Sequence, residues 1–297
     1  MAYNVTAAKQ AQFEAVMLQK LKEEKGNLLL GYGQKATVKG ANTHTFYRLG
    51  ESGVDSATGF NMYKDAYTGS GGTAEKVTAT IEMIYASDRI KNEDINSTTI
   101  NLESSYIKSL SDALAREVDK KILAAIAAKT SGGTAAAGKL TPMGDATKAL
   151  TDVANIDALI QAAVYAATNV KDMTASTGSN GVALVLTAKE FSKLFTVEKI
   201  ASNNYLGGLK EGTSSLKTFL ACEVVKVSEY AKPNGTGGIN TIYLIPTQTF
   251  GVASWENDLE AKSWEDLATD SVACRVKRSL GVAVIEPESI IEFRYKA

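Results

Sequence analysis

ESSYIKSLSDALAREVDKKILAAIAAK, residues 103–129, is the stretch that decides the fold of this 297-residue chain. Its apolar residues recur at spacings of three and four, which predicts an amphipathic helix about 40 Å long. Steps of four make the apolar stripe drift around the helix axis, so we expect the helix to pack obliquely across a sheet. Opposite charges at i and i+4 support the helix further. The charge pairs are Asp112 with Arg116 and Glu117 with Lys121, and the stripe consists of Ile107, Leu110, Leu114, Val118, Ile122 and Ile126.

A polar, extended region precedes this helix. Gly31–Gly72 is rich in glycine, serine, threonine, asparagine and tyrosine, and it has no helical period. Val77–Tyr85 alternates apolar and polar residues as a half-buried strand does, and Thr43–Leu49 is its expected partner. The polar residues that join these strands cannot form a core of their own. We therefore expect an outstretched hairpin over residues 38–85 that finds its partners on a neighbouring molecule.

The first part of the chain carries a second amphipathic pattern. In residues 6–25 the apolar residues Phe13, Val16, Met17 and Leu21 recur near every third or fourth position, with lysine and glutamate between them. This pattern predicts a helix whose apolar stripe must be covered. The sequence leaves open whether its own domain or another subunit covers it.

A mixed α/β segment follows the long helix. Residues 155–169 predict a second helix, and Thr187 with Glu190 has the spacing of a capping box that opens a helix through Phe195. Strands alternate with these helices, which describes a compact α/β lobe. The predicted strands are Val182–Leu186, Glu223–Val227 and Thr241–Ile245.

The last part of the chain returns to β structure. Val272–Ile285 is predicted to be a strand, Pro287 marks a turn, and Ile290–Tyr295 is predicted to be a second strand. We expect both strands to pair with those that flank the long helix. The first and last parts of the chain would then form one domain, with the α/β lobe inserted between them.

Composition excludes several classes of protein. Lysine and arginine total 32 against 33 acidic residues, so the net charge of -1 offers no field to attract nucleic acid or an anionic membrane. No apolar run approaches the ~18 residues of a membrane span, and no secretory leader is visible. Cys222 and Cys274 are expected to be free thiols in a protein made in the cytoplasm.

Motifs for nucleotide chemistry are incomplete. Gly133–Leu140 resembles a P-loop around Lys139, but a helix precedes it and the serine or threonine after the lysine is missing. Gly31–Ala36 copies a dinucleotide fingerprint, yet the residues after it are poor helix formers, so no helix N-terminus would hold a pyrophosphate. The single histidine, His44, has no partners for acid–base or zinc chemistry. We expect no cofactor, no metal and no enzymatic activity.

The densest basic group is Arg275, Lys277 and Arg278 on a predicted strand. Such a group is usually a solvated strand face. Inside a container these charges could contact packaged DNA weakly and without sequence preference, because three charges add little per subunit.

The order of these parts resembles the major capsid proteins of tailed bacteriophages, which have the Hong Kong 97-type fold. The hairpin is similar to the E-loop of that family, residues 105–129 to its spine helix, and residues 155–252 to its axial domain. The segment SLGVAVIEPESII, residues 279–291, is similar to the closing strands. The resemblance implies an α+β fold made of an N-terminal arm (1–37), an E-loop (38–85), a peripheral domain (86–150 and 271–297, with the spine helix at 103–129) and an axial domain (151–270).

The resemblance also implies a function. The chain would assemble in hexamers and pentamers into the icosahedral head of a tailed phage around double-stranded DNA, with a separate scaffolding protein and a portal, and it would reside in the virion capsid. Phe60, Tyr63 and Tyr67 would anchor the E-loop on a neighbour, and Lys64 lies where self-cross-linking members carry a lysine. The alternatives are an encapsulin-type protein compartment and, less in keeping with the motifs, a nucleotide-binding enzyme.

Overall fold

The computed structural model describes residues 28–49, 74–91, 102–129, 140–169, 181–195, 197, 218–219, 222–232, 238–256, 258–266 and 269–297. The predicted N-terminal helix, the P-loop-like Gly133–Lys139 and the hairpin tip at 50–73 lie outside the described residues. Side chains at the margins of some elements are also outside the description.

The described residues form strands β1 to β13 and helices α1 to α3. The strands are β1 (Gln34–Val38), β2 (Thr43–Leu49), β3 (Ala74–Thr80), β4 (Glu82–Lys91), β5 (Thr141–Met143), β6 (Val182–Thr187), β7 (Thr218–Phe219), β8 (Cys222–Val227), β9 (Ile239–Pro246), β10 (Phe250–Trp255), β11 (Glu260–Asp266), β12 (Ser271–Val284) and β13 (Ile291–Lys296). The helices are α1 (Leu102–Ala127), α2 (Val153–Asn169) and α3 (Ala188–Phe195), and a 3-10 turn covers Pro287–Ser289.

The long helix α1 packs across β4 and β12, as its sequence predicts. Its stripe is buried from Leu110 to Ile126 against Ile84, Cys274 and Val276. Burying one Leu or Ile side chain contributes about 1.5–3 kcal/mol, whereas a charge pair on a helix contributes only about 0.2–0.5 kcal/mol. The stripe therefore fixes the helix on the sheet.

Both predicted charge pairs on α1 are wrong, because among the described residues no ion pair joins Asp112 with Arg116 or Glu117 with Lys121. Lys121 pairs with Glu82 on β4, and Glu117 lies 3.7 Å from Lys120. A partner on the sheet is available to Lys121 because α1 lies across β4. The helix forms without these pairs, since each of them contributes little to its stability.

The first sheet is centred on β12, a strand of 14 residues. The order is β1-β10-β12-β11, and β4 pairs along the other side of β12. All of these pairings are antiparallel except the parallel pair of β1 with β10.

The second sheet has six strands in the order β5-β13-β9-β6-β8-β7. Every residue of β6 is buried, because both faces of this sheet are covered. One face packs with α2 and α3 around Leu184 and Phe293, and the other joins the core of α1 through Ala183 and Val185. The predicted α/β lobe and its helices are present in this part.

One predicted strand is divided between two partners, whereas the closing strands pair with those that flank α1, as expected. Val77–Tyr85 is divided at Ile81, whose N–H donates to the Asn42 carbonyl oxygen; the residues before it pair with β2 and those after it with β12. The final strand, β13, pairs with β5, the strand that follows α1, as expected, and it also pairs with β9, which places it in the second sheet. The 3-10 turn at Pro287–Ser289 separates β12 from β13 and allows the chain to change sheets.

The root of the hairpin, β2 and β3, packs on its own first sheet, which corrects the expectation of a ribbon that is free along its whole length. Phe46 is buried there with Ala79 and Ile81 on the face opposite α1. Glycines make this approach possible, because a Cβ at Gly251 would lie 2.4 Å from the Phe46 ring and one at Gly281 would lie 2.7 Å from the Thr80 carbonyl oxygen.

We expect Gly251→Ala to displace the hairpin root and to lower the free energy of unfolding by about 1–3 kcal/mol, as overpacking does. Urea unfolding measures this change. Gly31→Ala is the control, because nothing lies within 4 Å of a Cβ at Gly31. Adding Phe46→Leu to Gly251→Ala should recover part of the loss. Equal effects of the two glycine variants would contradict the assignment.

A buried polar network joins α3 to the end of the chain. The predicted capping box is confirmed: Thr187 N–H donates to Glu190 Oε2 at 2.8 Å, and Glu190 N–H donates to Thr187 Oγ1 at 3.3 Å. The other oxygen, Oε1, accepts from Lys232 and from the Tyr295 hydroxyl. Burial lowers the pKa of Lys232, which the Glu190 carboxylate opposes, and burial together with the same carboxylate raises the pKa of Tyr295.

Lys232→Met should lower the free energy of unfolding by about 3–5 kcal/mol at neutral pH, because it leaves the Glu190 charge buried without its cation. Lys189→Met is the matched control. Lys189 pairs with Glu229 at 2.8 Å, but its side chain is 77% exposed, so its loss should cost less than about 1 kcal/mol. Similar unfolding midpoints for the two variants in urea would show that the buried pair of Lys232 and Glu190 contributes nothing to the stability of the fold.

Candidate assembly surface

The residues predicted to contact a neighbour, Phe60, Tyr63, Lys64 and Tyr67, lie outside the described residues. Their contact with a neighbour stays a prediction. The described strands below them, β2 and β3, pair as far as Leu49 with Ala74, so the tip residues 50–73 start from a root that is seated on the first sheet.

Two motifs that could have suggested other chemistry have structural roles. Gly33, in the dinucleotide-like turn, lies under Phe250, and a Cβ there would approach the ring to 2.6 Å. The turn continues directly into β1, as the absence of a helix pattern predicts. His44 is half-buried, and its ring packs edge-to-face on Phe46 with 4.7 Å between centroids.

An open groove of about 580 Å³ runs along one flank of α1. Ala113, Leu114 and Glu117 of the helix line one side, and β4 lines the other with Met83 and Tyr85. Met83 is 42% exposed and Tyr85 is 67% exposed. Large apolar side chains grouped in a groove are typical of a surface that binds another polypeptide. We call this surface the spine groove.

Tyr230 closes one end of the spine groove and is 61% exposed. Its hydroxyl donates to Glu117 Oε2 at 3.2 Å and accepts from Lys120 Nζ at 3.1 Å. The same ammonium lies 4.3 Å from the centre of the tyrosine ring. These contacts hold Tyr230 on α1 although the residue comes from the loop after β8, so the groove wall is preformed.

Sequence reasoning missed the spine groove. It placed Met83 and Tyr85 on the buried face of one continuous strand, but the strand changes partners and Ile84 and Ile90 are buried instead. Ile84, Ala86 and Ile90 alternate out of phase with the earlier residues, and this signal could have revealed the change. Nothing in the local sequence of Tyr230 indicates that it reaches α1.

The basic residues of β12 have partners within the chain. Lys277 pairs with Glu260, Arg278 lies 3.2 Å from Asp258, and the Arg275 guanidinium stacks on Trp264 at 5.8 Å from the ring centre. Hydrogen bonds from Lys262 and Lys277 lower the pKa of Glu260 to about 2. These pairings leave less positive charge for an external anion than the sequence suggests.

The described residues contain no group of three or more histidines, cysteines, aspartates or glutamates placed to hold a metal ion. Glu190 accepts from Thr187, Lys232 and Tyr295, so the capping network already uses both of its oxygens. Burial raises the pKa of Cys222 to about 12, which keeps its thiol protonated. No helix in the described part of the chain is long and apolar enough to cross a membrane.

Asp119 is a buried carboxyl group on α1, 4% exposed. Its Oδ1 accepts from the backbone N–H of Leu29 at 3.3 Å, which joins the helix to the segment that enters β1. Burial raises its pKa from 3.8 to about 7, against the lowering effect of the N–H groups of Leu29 and Leu28.

Asp119→Asn should change how stability depends on pH. Because the pKa of Asp119 is higher in the folded chain, its contribution to stability is complete below pH 4 and is lost as the pH rises to about 7. The loss is about 4 kcal/mol at most, at about 1.4 kcal/mol per pH unit. In urea unfolding, the free energy of unfolding of the variant should therefore rise relative to that of the native chain between pH 4 and pH 7. Exposed Asp112→Asn is the control, and a difference that does not vary with pH would contradict the assignment.

Two sheets that pack with one long helix, and a hairpin root seated on the first sheet, correspond to the Hong Kong 97-type fold of phage capsid proteins. The chain belongs to the phage capsid protein family, whose model matches residues 5–297. It is a major capsid protein, located in the virion capsid and assembled there in many copies. The family does not favour an encapsulin-type compartment.

Solved structures share this fold at low sequence identity. A chain from the capsid of cyanophage P-SCSP1u is 16% identical with a TM-score of 0.62, over 89% of this chain and 86% of that one. A chain from Mycobacterium phage Che8 is 16% identical with a TM-score of 0.58, over 85% and 84%. A virus-like particle from Pyrococcus furiosus matches at 13% identity and a TM-score of 0.56, over 96% and 99%. No curated protein matches the chain by sequence comparison.

Proposed function

We propose that this capsid protein forms the icosahedral head of a tailed bacteriophage, as hexamers and pentamers that enclose double-stranded DNA. Synthesis and assembly take place in the host cytoplasm, with a separate scaffolding protein and a portal, and the subunit has no catalytic activity. The observation that carries the proposal is the family match over residues 5–297. The preformed spine groove supports it, because a subunit of a closed shell must cover such apolar surface with sister molecules.

The proposed contact between subunits uses the hairpin tip. Phe60, Tyr63 and Tyr67 place three aromatic side chains within eight residues of an otherwise polar segment. We place this tip over the α1 helix of the next subunit, where Asp112 and Arg116 are exposed. Such a contact is heterologous, and in the proposed capsomers its rotation closes into a ring. Each subunit makes several contacts at once, and modest contacts therefore add to a stable shell.

The proposal includes an assignment of the domains. Residues 86–150 and 271–297 are the peripheral domain, and residues 151–270 are the axial domain that meets its sisters at the capsomer axis. The contact with packaged DNA is weak, because Lys277 and Arg278 are paired within the subunit.

The purified protein, expressed alone and with its scaffolding protein, should form closed shells in electron micrographs. The triple variant Phe60→Ser, Tyr63→Ser and Tyr67→Ser should stay unassembled, because it removes the aromatic anchors of the tip. Ser56→Ala and Ser70→Ala together are the matched control in the same segment and should assemble normally. Circular dichroism checks that all variants fold. Persistent monomers of the native chain under both conditions would overturn the proposal.

A further inference from the structure

The hairpin root is attached to the rest of the subunit by two contacts of different chemistry. Phe46 on β2 is buried in an apolar cluster on the first sheet. Arg48, two residues further along β2, lies on the same side of the strand, and its guanidinium pairs with Glu288 in the turn between β12 and β13. The apolar contact persists in the folded chain, whereas a partly exposed ion pair can open without unfolding.

Arg48 has a second carboxylate within reach. Its Nη1 lies 3.5 Å from Glu75 Oε2, and Glu75 is the residue opposite Arg48 in the pairing of β2 with β3. Glu75 therefore belongs to the hairpin, whereas Glu288 belongs to the turn beneath it. A charge that is buried without a counter-charge is costly. Opening of the contact with Glu288 avoids this cost, because the guanidinium keeps Glu75.

The turn that carries Glu288 is fixed independently of the ion pair. Its carbonyl oxygen accepts from the Thr141 hydroxyl at 2.8 Å, and the Thr141 N–H donates to the Ile290 carbonyl oxygen at 3.0 Å. The side chains of Arg48 and Glu288 are 19% and 22% exposed, so water reaches both groups when they separate. The turn consequently keeps its place when the ion pair opens, and the hairpin is the part that changes position.

The ion pair lies near the outer end of the hairpin root. The described pairing of β2 with β3 ends at Leu49, and Phe46 lies three residues before that end. Arg48 stands between the two. With the ion pair closed, the root is held at two points, which fix its angle on the first sheet. With the ion pair open, only the contact at Phe46 remains, and the root can turn about it.

We propose that the ion pair of Arg48 with Glu288 is a latch that sets the angle of the hairpin on its own subunit. In the closed state the hairpin is held against the turn between β12 and β13. In the open state Arg48 keeps Glu75, and the hairpin turns about Phe46. The latch thereby sets the direction in which the chain leaves the root at Leu49.

The use of the latch rests on the proposed function, in which the hairpin meets a neighbouring subunit. Hexamers and pentamers place that neighbour at different angles, so one sequence must serve more than one direction of the hairpin. A latch whose two states both leave Arg48 paired supplies two directions at small cost. The latch itself is a property of the single chain and does not depend on assembly.

Distances between two spin labels on one chain test the latch. Tyr47→Cys on the hairpin and Val153→Cys at the start of α2 carry the labels, because both native side chains are exposed. Native Cys222 and Cys274 are buried, so the labels attach to the new cysteines. The labelled full chain is diluted into unlabelled chain and kept below the concentration at which micrographs show shells. Double electron–electron resonance then reports distances within one chain.

Glu288→Gln should add a second distance population, because the latch loses its charge on the side of the turn. Arg48→Met should add the same population from the side of the hairpin. Urea unfolding checks that both variants fold. One unchanged distance in both folded variants would overturn the inference.

Two matched controls replace other glutamates by glutamine. Glu75→Gln leaves the latch intact and removes the carboxylate that makes opening cheap, so the distance of the closed state should remain. Glu256→Gln breaks the exposed pair with Lys39 elsewhere on the first sheet, and it should not change the distances. Equal broadening in Glu256→Gln and Glu288→Gln would also overturn the inference, because the hairpin would then move regardless of the latch.

The outcomes separate this inference from the proposed function. Shells from the native chain, together with an unchanged distance in Glu288→Gln, would overturn the latch and leave the proposed function standing. Absence of shells from the native chain, with and without scaffolding protein, would overturn the proposed function. The distances would then still decide whether the latch exists, because they are measured on unassembled chains.

Discussion

The structure depends on the burial of β12, which is covered on both faces from Ser279 to Val284. Cys274, Val276, Leu280 and Val284 enter the core under α1. On the opposite face, Gly281 and Ala283 receive the hairpin root. A stretch of strand that is covered on both sides needs side chains that are apolar or very small in both directions, and this requirement sets the sequence of residues 279–284. The helix, the sheet and the hairpin keep their places because all three contact this strand.

Local patterns in the sequence predicted most of the elements and the fold. The long helix and the capping box of Thr187 and Glu190 follow from spacing within one segment, so no distant partner had to be known. The change of strand pairing at Ile81 and the transfer of β13 to the second sheet depend on residues that are far apart in the chain. Apolar alternation shows that a strand is half-buried, but it does not identify the sheet that buries it.

The candidate site was harder to predict for the same reason. The spine groove combines β4, α1 and the loop that carries Tyr230, three parts with no common sequence motif. Conversely, the basic residues of β12 suggested more external charge than exists, because their partners Glu260 and Asp258 come from β11 and the residues before it. Composition counts charges, whereas binding depends on which charges are already paired.

One turn joins the two sheets and the hairpin root. Glu288, between β12 and β13, pairs with Arg48 of the hairpin root, and its carbonyl oxygen accepts from the Thr141 hydroxyl of β5. The two sheets and the hairpin thus share a single mechanical junction. Tilting one sheet against the other pulls on this junction and transmits the force to the hairpin. A change of the angle between the two sheets would accordingly load the Arg48–Glu288 ion pair.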